Sequence, residues 1–291
     1  MTHTTKILLQ TTIPSTADDW SIARFGQLAA FLRAQRDRDD RPAFEVIARD
    51  RDPLGHPDSV LSNLDRSDFD ELWLFAVDAG DGLTQDDCKA ITRFRQRGGG
   101  LMVTRDHMDL GSSVCSLAGV GDAHHFHTRN IDRDAVLERD DPYSINISWP
   151  NFHSGANGDY QTIKVALPAH PVLRNPSSPT SLIRFLPAHP HEGAVSAPSG
   201  HHARVIASGA SKVTARPFNI AVAFEAHEGS GGAIAQSSFH HFADYNWDPR
   251  AGAPSFVDEP PGSAILLDPD AMSDTHRYVR NVALWLGGRD P

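Results

Sequence analysis

Three glycines, Gly98, Gly99 and Gly100, then the run Leu101-Met102-Val103-Thr104, then Arg105-Asp106-His107 form the segment that most narrows what this chain can become. A glycine stop, a short apolar run and polar side chains are how a parallel strand delivers residues to the carboxyl edge of a sheet. Open α/β folds bind ligands at that edge. Upstream, Thr84 with Asp87 three positions later makes a helix cap, and Cys88, Ile91 and Phe94 fall on one face. Gly98 closes that helix in the left-handed conformation glycine tolerates. Residues 71–78 are a continuous apolar run ending on Asp78, the pattern of a strand buried on both faces. The unit is strand, helix, strand, and such units make parallel sheets.

The alternation extends back to the start of the chain. Residues 6–13 read as a first strand, a helix after Pro14 lines up Ile22, Phe25, Ala29 and Leu32, and residues 44–48 are a second strand. The fold class is therefore α/β, with a flavodoxin-like, doubly wound, mainly parallel sheet. From about 120 to 200 the pattern changes to short strands (145–148, 161–167, 182–186) and loops, an elaborated middle within one domain spanning residues 1–291. The pentapeptide Leu-Pro-Ala-His-Pro occurs at 167–171 and at 186–190, too short an echo to establish a repeat. Residues 204–207 and 220–224 read as paired strands, and 231–238 as a strand that again ends in polar residues. A final helix runs from a Ser273 cap through Tyr278, Val282 and Leu286 to Gly287-Gly288.

Composition excludes several functions. With 27 Lys+Arg against 37 Asp+Glu the formal charge is −10, and no basic run interleaves with aromatics, so a nucleic-acid groove is not expected. No basic start precedes a long apolar stretch, which argues against a secretion signal or membrane span and for a cytoplasmic protein. Two cysteines, Cys88 and Cys115, supply no disulfide framework and read as free thiols.

Three segments carry candidate chemistry. Asp106 and His107, just past a strand end, suit a base and its orienter or metal ligands. Between Ser238 and Asp248 lie His240, His241, Asp244 and Asn246; adjacent histidines on extended chain point to opposite sides, so one of the pair faces a site. The loop around Asn151, His153, Asn157 and Asp159 combines glycines with amides and an imidazole, a mix suited to a polyhydroxylated ligand. His189-Pro-His191-Glu192 and His124-His125-Phe-His127 have the His-x-His spacing that sets two imidazoles on one strand face, though 16 histidines produce such spacings by chance.

Taken in order, the Leu83-Thr84 cap with its acidic start, the Gly98–Val103 strand, His170-Pro171-Val172, the strand ending at His240 and the terminal helix around Val282-Ala-Leu-Trp285 resemble the trehalose-utilisation (ThuA-like) family. That family belongs to the class I glutamine-amidotransferase-like superfamily, and the likeness runs over most of residues 5–288. It implies an enzyme, a hydrolase or isomerase, that processes a sugar or glycoside by His/Asp acid-base chemistry. Asp106, His107 and His240 would be catalytic, and Arg105, Asn151, His153, Asn157, Asp159, Asp244 and Asn246 would bind substrate. A divalent metal such as zinc would sit on His107, His240 and His241. The partner would be a sugar-like small molecule, with homo-oligomers compatible. Two departures stand out: Arg105 occupies the strand-end position where family members often have His, and the superfamily's elbow cysteine is missing between Thr104 and Met108. Glutamine hydrolysis is not expected. A carbohydrate-binding or scaffold protein without chemistry, and a metal-dependent hydrolase of a non-sugar, are the competing classes.

Overall fold

The computed structural model of the chain describes residues 3–130, 144 and 146–291. Strand β1 (Thr5–Pro14), helix α1 (Gly26–Ala34), β2 (Phe44–Arg51), β3 (Glu71–Phe75), α2 (Gln85–Gln96) and β4 (Gly100–Thr104) come first. Short strands follow: β5 (His124–His125), β6 (Tyr160–Thr162), β7 (Lys164–Val165), β8 (Phe185–Pro187) and β9 (Ala194–Val195). Then come β10 (Ala203–Ala210), β11 (Pro217–Phe224), β12 (Ala233–Gln236), the one-turn helices α3 (Asp244–Trp247) and α4 (Ala264–Leu267), and α5 (Pro269–Leu286).

Eight strands form the main sheet in the order β2-β1-β3-β4-β12-β11-β10-β7. The first five run parallel and the last three are added antiparallel. This is the doubly wound, flavodoxin-like α/β sheet the alternation predicts, with an antiparallel extension. Because side chains alternate along a strand, each strand feeds two cores. Ile7, Leu9, Trp73, Phe75 and Met102 pack with Leu28 and Leu32 of α1 and with Tyr278 and Val282 of α5. Leu8, Leu72, Leu74, Leu101 and Val103 pack on the other face with Ile91 and Phe94 of α2. Among the described residues no helix is long and apolar enough to cross a membrane.

Helix α2 begins where the sequence says it should: Thr84 accepts from Asp87 N (3.3 Å), and Asp87 Oδ2 accepts from Thr84 N (2.9 Å). It ends before Gly98, at φ +102°. Other expectations need correction. Cys88 and Cys115 are joined in a disulfide, with Cα atoms 6.2 Å apart, so neither is a free thiol. Helix α5 starts at Pro269 rather than after Ser273, because Asp268 accepts from Asp270 N (3.0 Å) and proline presets the first helical φ. The run 161–167 splits into β6 and β7, and the last of the expected middle strands begins at Phe185 as β8. Residues 146–148 of the expected strand 145–148 are not extended in a ladder, and residue 145 lies outside the described residues.

The register that matters for function is Thr104 opposite Gln236. It makes β4 and β12 end side by side, so residues 105–107 and 237–241 leave the sheet together.

Candidate metal centre

Asp106 is buried just beyond β4, and its two oxygens are held from different sides. Ser238 Oγ donates to Oδ1 (2.9 Å), tying the ends of β12 and β4, and His107 Nδ1 lies 2.8 Å from Oδ2. Phe239 N donating to Arg105 O (2.9 Å) reinforces the same junction. Ser238 also caps the 3-10 turn of Phe239–Phe242 by accepting from His240 N (3.1 Å), which turns His240 toward Asp106 and His241 away. His189, two residues past β8, is fixed through Ser154: its amide donates to Ser154 Oγ (2.9 Å), and its carbonyl accepts from Ser154 N (3.0 Å).

The result is a three-residue convergence. One ligand atom each from Asp106, His189 and His240 lies within 4.8 Å of the others. His189 Nε2 is 3.3 Å and His240 Nε2 3.8 Å from Asp106 Oδ2, and the two imidazoles stack with centroids 3.5 Å apart. Two atoms bound tetrahedrally to zinc at about 2.0–2.1 Å stand about 3.3 Å apart, so the spacing is that of a ligand set.

Two asparagines determine which nitrogens carry protons. Asn246 Nδ2 donates to the Ala188 carbonyl (2.9 Å), an atom that can only accept, so the amide orientation is fixed and Oδ1 faces His240 Nδ1 (2.8 Å). The same Nδ2 donates to Asn157 Oδ1 (2.8 Å), and that oxygen also faces His189 Nδ1 (2.8 Å). Both histidines therefore carry the proton on Nδ1 and turn an Nε2 lone pair toward Asp106. Burial pushes His189 down to about 4, with Asp106 pulling the other way, and burial also pushes His240 well below its ordinary value. Burial opposes ionisation of Asp106, whereas His107, facing Oδ2 from Nδ1, favours it, and the carboxyl is held well below the usual range. Three buried acceptors thus face one another, and among the described residues His189 Nε2 has no hydrogen-bond partner. A divalent cation satisfies such a set, and the outer amides are the support a ligating histidine needs.

Around this core sit residues of unequal importance. His191 was noted in the sequence for its spacing to His189, and its ring lies 5.5 Å from that of His189 and 5.3 Å from that of His107. Asn151 Oδ1 meets its Nδ1 (3.0 Å) and Glu259 Oε1 its Nε2 (2.9 Å); the hydrogen bond from His191, against burial, holds Glu259 at about 2. His241, expected as a ligand, is committed elsewhere: Gln236 Nε2 faces its Nδ1 (2.8 Å), and its Nε2 meets Glu192 Oε1 (3.0 Å). Glu192 is a buried anchor that also accepts from Ser154 and Ser237. His107 contacts Asp106 and is not one of the three converging residues.

Four further candidates lie outside the three-residue convergence. Asp159 accepts from Ala264 N (3.1 Å), and its carbonyl accepts from Ala188 N (3.0 Å), which sets the approach to His189. Asp244 accepts from Gly26 N and Gln27 N at the start of α1, and burial raises it to about 6. Arg105 is buried with its guanidinium over the Phe126 ring (4.3 Å), donating to Met108 O. His153 is not among the converging residues; its carbonyl accepts from Lys212 N (2.8 Å). His189 and Glu259 are the residues that no strong motif announced, and only the His-x-His spacing signalled the first.

No family model and no curated protein matches the chain. Among solved structures, a protein described as ThuA-like from Parabacteroides merdae aligns over 99% of this chain and 92% of its own, with TM-score 0.52 and 12% identity. The glutaminase domain of Trypanosoma brucei CTPS aligns over 99% and 96%, with TM-score 0.46 and 13% identity. A protein described as ThuA-like from Bacteroides uniformis aligns over 94% and 91%, with TM-score 0.42 and 12% identity. At these identities the likeness is one of fold, and the first alignment agrees with the fold class expected from the sequence.

Proposed function

We propose that the chain is a divalent-metal-dependent hydrolase of a sugar-like molecule, with Asp106, His189 and His240 holding the metal. The observation that carries this reading is the meeting of three proton-free acceptors at 3.3–3.8 Å, two of them with tautomers fixed by Asn157 and Asn246. A zinc-type ion bound there supplies Lewis acidity and lowers the pKa of a water at neutral pH. His107 donates from Nδ1 to Asp106, which leaves Nε2 as the atom that takes a proton from water and returns it to the leaving group. Ser238 keeps Asp106 from rotating while that exchange occurs. The sugar-like substrate rests on the ThuA-like resemblance and on the amides and imidazoles beside the site. Thiol chemistry on glutamine is disfavoured, since both cysteines are in the disulfide.

Elemental analysis of protein purified without a histidine tag tests the reading. About one equivalent of a zinc-type metal is expected, falling below about a tenth in Asp106→Asn, His189→Ala and His240→Ala proteins that keep their circular dichroism. Chelator-sensitive hydrolysis of glycosides or sugar esters should accompany it. Metal-free wild-type protein whose ligand binding ignores chelators would overturn the proposal, and metal without turnover would make the chain a binding protein.

A further inference from the structure

The edge of the sheet opposite Asp106, where β4 and β12 begin rather than end, holds a second concave site. Between the end of β11 at Phe224 and the start of β12 at Ala233, His227 and Ser230 exchange two backbone hydrogen bonds (3.0 and 2.9 Å) across a tight turn that contains Gly229 at φ +76°. The start of β10 lies beside this turn: the His202 carbonyl accepts from Glu225 N (3.0 Å), and the rings of His202 and His227 are 4.7 Å apart. Helix α2 contributes Arg95 from its last turn. With Ser116, His201 and Phe224 these residues line a cavity of about 410 Å³, the size of a small-molecule site. Its wall needs glycine at Gly119, φ +98°, because a Cβ there would stand 2.3 Å from His201 Nδ1.

Arg95 gives this cavity its charge. The residue is 3% exposed, with Nε donating to the Gly231 carbonyl (3.1 Å) and Nη1 to the Ala118 carbonyl (2.6 Å), which leaves Nη2 uncommitted among the described residues. Carbonyls neutralise no charge, and no carboxylate offsets it: burial alone acts on the guanidinium, lowering it to about 10, so it stays a cation at neutral pH. A buried cation without a counter-charge is costly, and the planar fork of arginine matches phosphoryl oxygens. The rest of the lining agrees. The chain has 37 Asp+Glu against 27 Lys+Arg, yet no Asp or Glu lines this cavity. His227 offers a contact of another kind: its Nδ1 faces the Glu228 carbonyl (3.0 Å), an atom that can only accept, so the neutral ring keeps its proton there and presents Nε2 as an acceptor for a hydroxyl.

We propose that this cavity binds a small phosphorylated polyol, its phosphoryl group on Arg95 and a hydroxyl on His227 Nε2. The phosphoryl oxygens supply the counter-charge that the protein withholds from Arg95, and the remaining hydroxyls meet the polar lining, Ser116 among it. A divalent cation, the other ligand that clustered imidazoles attract, is repelled by the same fixed guanidinium. A ligand held here sits at the edge of the sheet away from Asp106 and needs no metal.

The histidine ring signals of isotope-labelled protein, followed by NMR, report the occupant. Glucose 6-phosphate should move the signals of His201, His202 and His227 saturably and leave that of His56, exposed on another loop, in place. Inorganic phosphate should bind with a Kd at least about tenfold higher, lacking the hydroxyl contacts, and glucose should move nothing. Arg95→Gln should weaken glucose 6-phosphate at least about tenfold, a charged hydrogen bond being lost. Arg250→Gln removes an equal charge at a side chain 79% exposed and should keep Kd within about twofold. Because Arg95 also ties α2 to Gly231 and Ala118, a second variant, His227→Phe at an exposed residue, accompanies it. It should weaken glucose 6-phosphate about three- to tenfold and inorganic phosphate less than about twofold. Glucose binding as tightly as its phosphate, inorganic phosphate binding as tightly as the sugar phosphate, or zinc moving these signals when glucose 6-phosphate does not would each overturn the proposal. So would wild-type affinity in folded Arg95→Gln protein.

Discussion

Asn246 and Asn157 are small neutral residues outside the ligand set, yet they decide what His240 and His189 can do. Without Asn246 Oδ1 the His240 ring is free to carry its proton on Nε2 and to hydrogen-bond Asp106 instead of presenting a lone pair. Asn246→Ala and Asn157→Ala are each expected to weaken zinc affinity about 10–100-fold, the usual effect of removing an outer-shell partner. Competition against a fluorescent zinc indicator measures it, and unchanged affinity in both would reduce the asparagines to packing. The two copies of Leu-Pro-Ala-His-Pro show how little a short sequence echo fixes: His189 joins the site, whereas His170 is buried against Trp285, ring centroids 4.7 Å apart. Burial, with Arg204 and Arg174 nearby, lowers His170 to about 4. An unfolded chain takes that proton near pH 6.5 and the folded one only near 4, so His170 favours folding above about 6.5 and the benefit is lost as pH falls toward 4. The slope is up to about 1.4 kcal/mol per pH unit. Urea unfolding across that range should show His170→Gln with a dependence shallower by about one proton, and parallel curves would contradict the assignment.

At the scale of elements, the parallel core was legible because β1, β3, β4 and α2 each carry a periodic apolar pattern and a cap or glycine stop. The end of β12 was legible for the same reason, which is how Asp106, His240 and Asn246 could be named from sequence. What escaped was set by long-range pairing. His189 follows a three-residue strand whose partner, β6, is itself three residues long, and neither has enough period to declare a register. Cys88 and Cys115 looked unrelated because one sits on a helix and the other in a loop; the fold brings them together by laying the segment after β4 across α2. The disulfide and the bonds from Gly111 N and Ser113 Oγ to Asp78 (2.6 and 2.9 Å) clamp the stretch that begins with Asp106 and His107. With the two cysteines 27 positions apart, opening the link by Cys115→Ser should lower stability by about 3–4 kcal/mol on chain-entropy grounds. Thiol titration of unreduced, denatured wild-type protein should find almost no free thiol, and two reactive thiols would remove the clamp.

For the whole molecule, the consequence of this architecture is that the site has no existence in the unfolded chain. Asp106, Asn157, His189 and His240 come from four segments that only the assembled sheet and its loops bring within bonding distance. A ligand that binds only the folded state raises its stability by RT ln(1 + [L]/Kd), about 2.7 kcal/mol at a hundredfold excess over Kd. For a chain of this size each kcal/mol is worth about 2–4 °C, so zinc at that excess should raise Tm by about 5–10 °C over protein held in chelator. His240→Ala should abolish the shift while unfolding at a temperature near that of the chelated wild type, since it loses the ligand and not the sheet. Loss of that shift in His241→Ala as well is not the expected pattern unless the variant also unfolds at a markedly lower temperature, because His241 braces Glu192 in the interior instead of facing the metal. Calorimetry on the three proteins separates the cases. A wild-type Tm indifferent to zinc would mean that the three acceptors do not form a metal site.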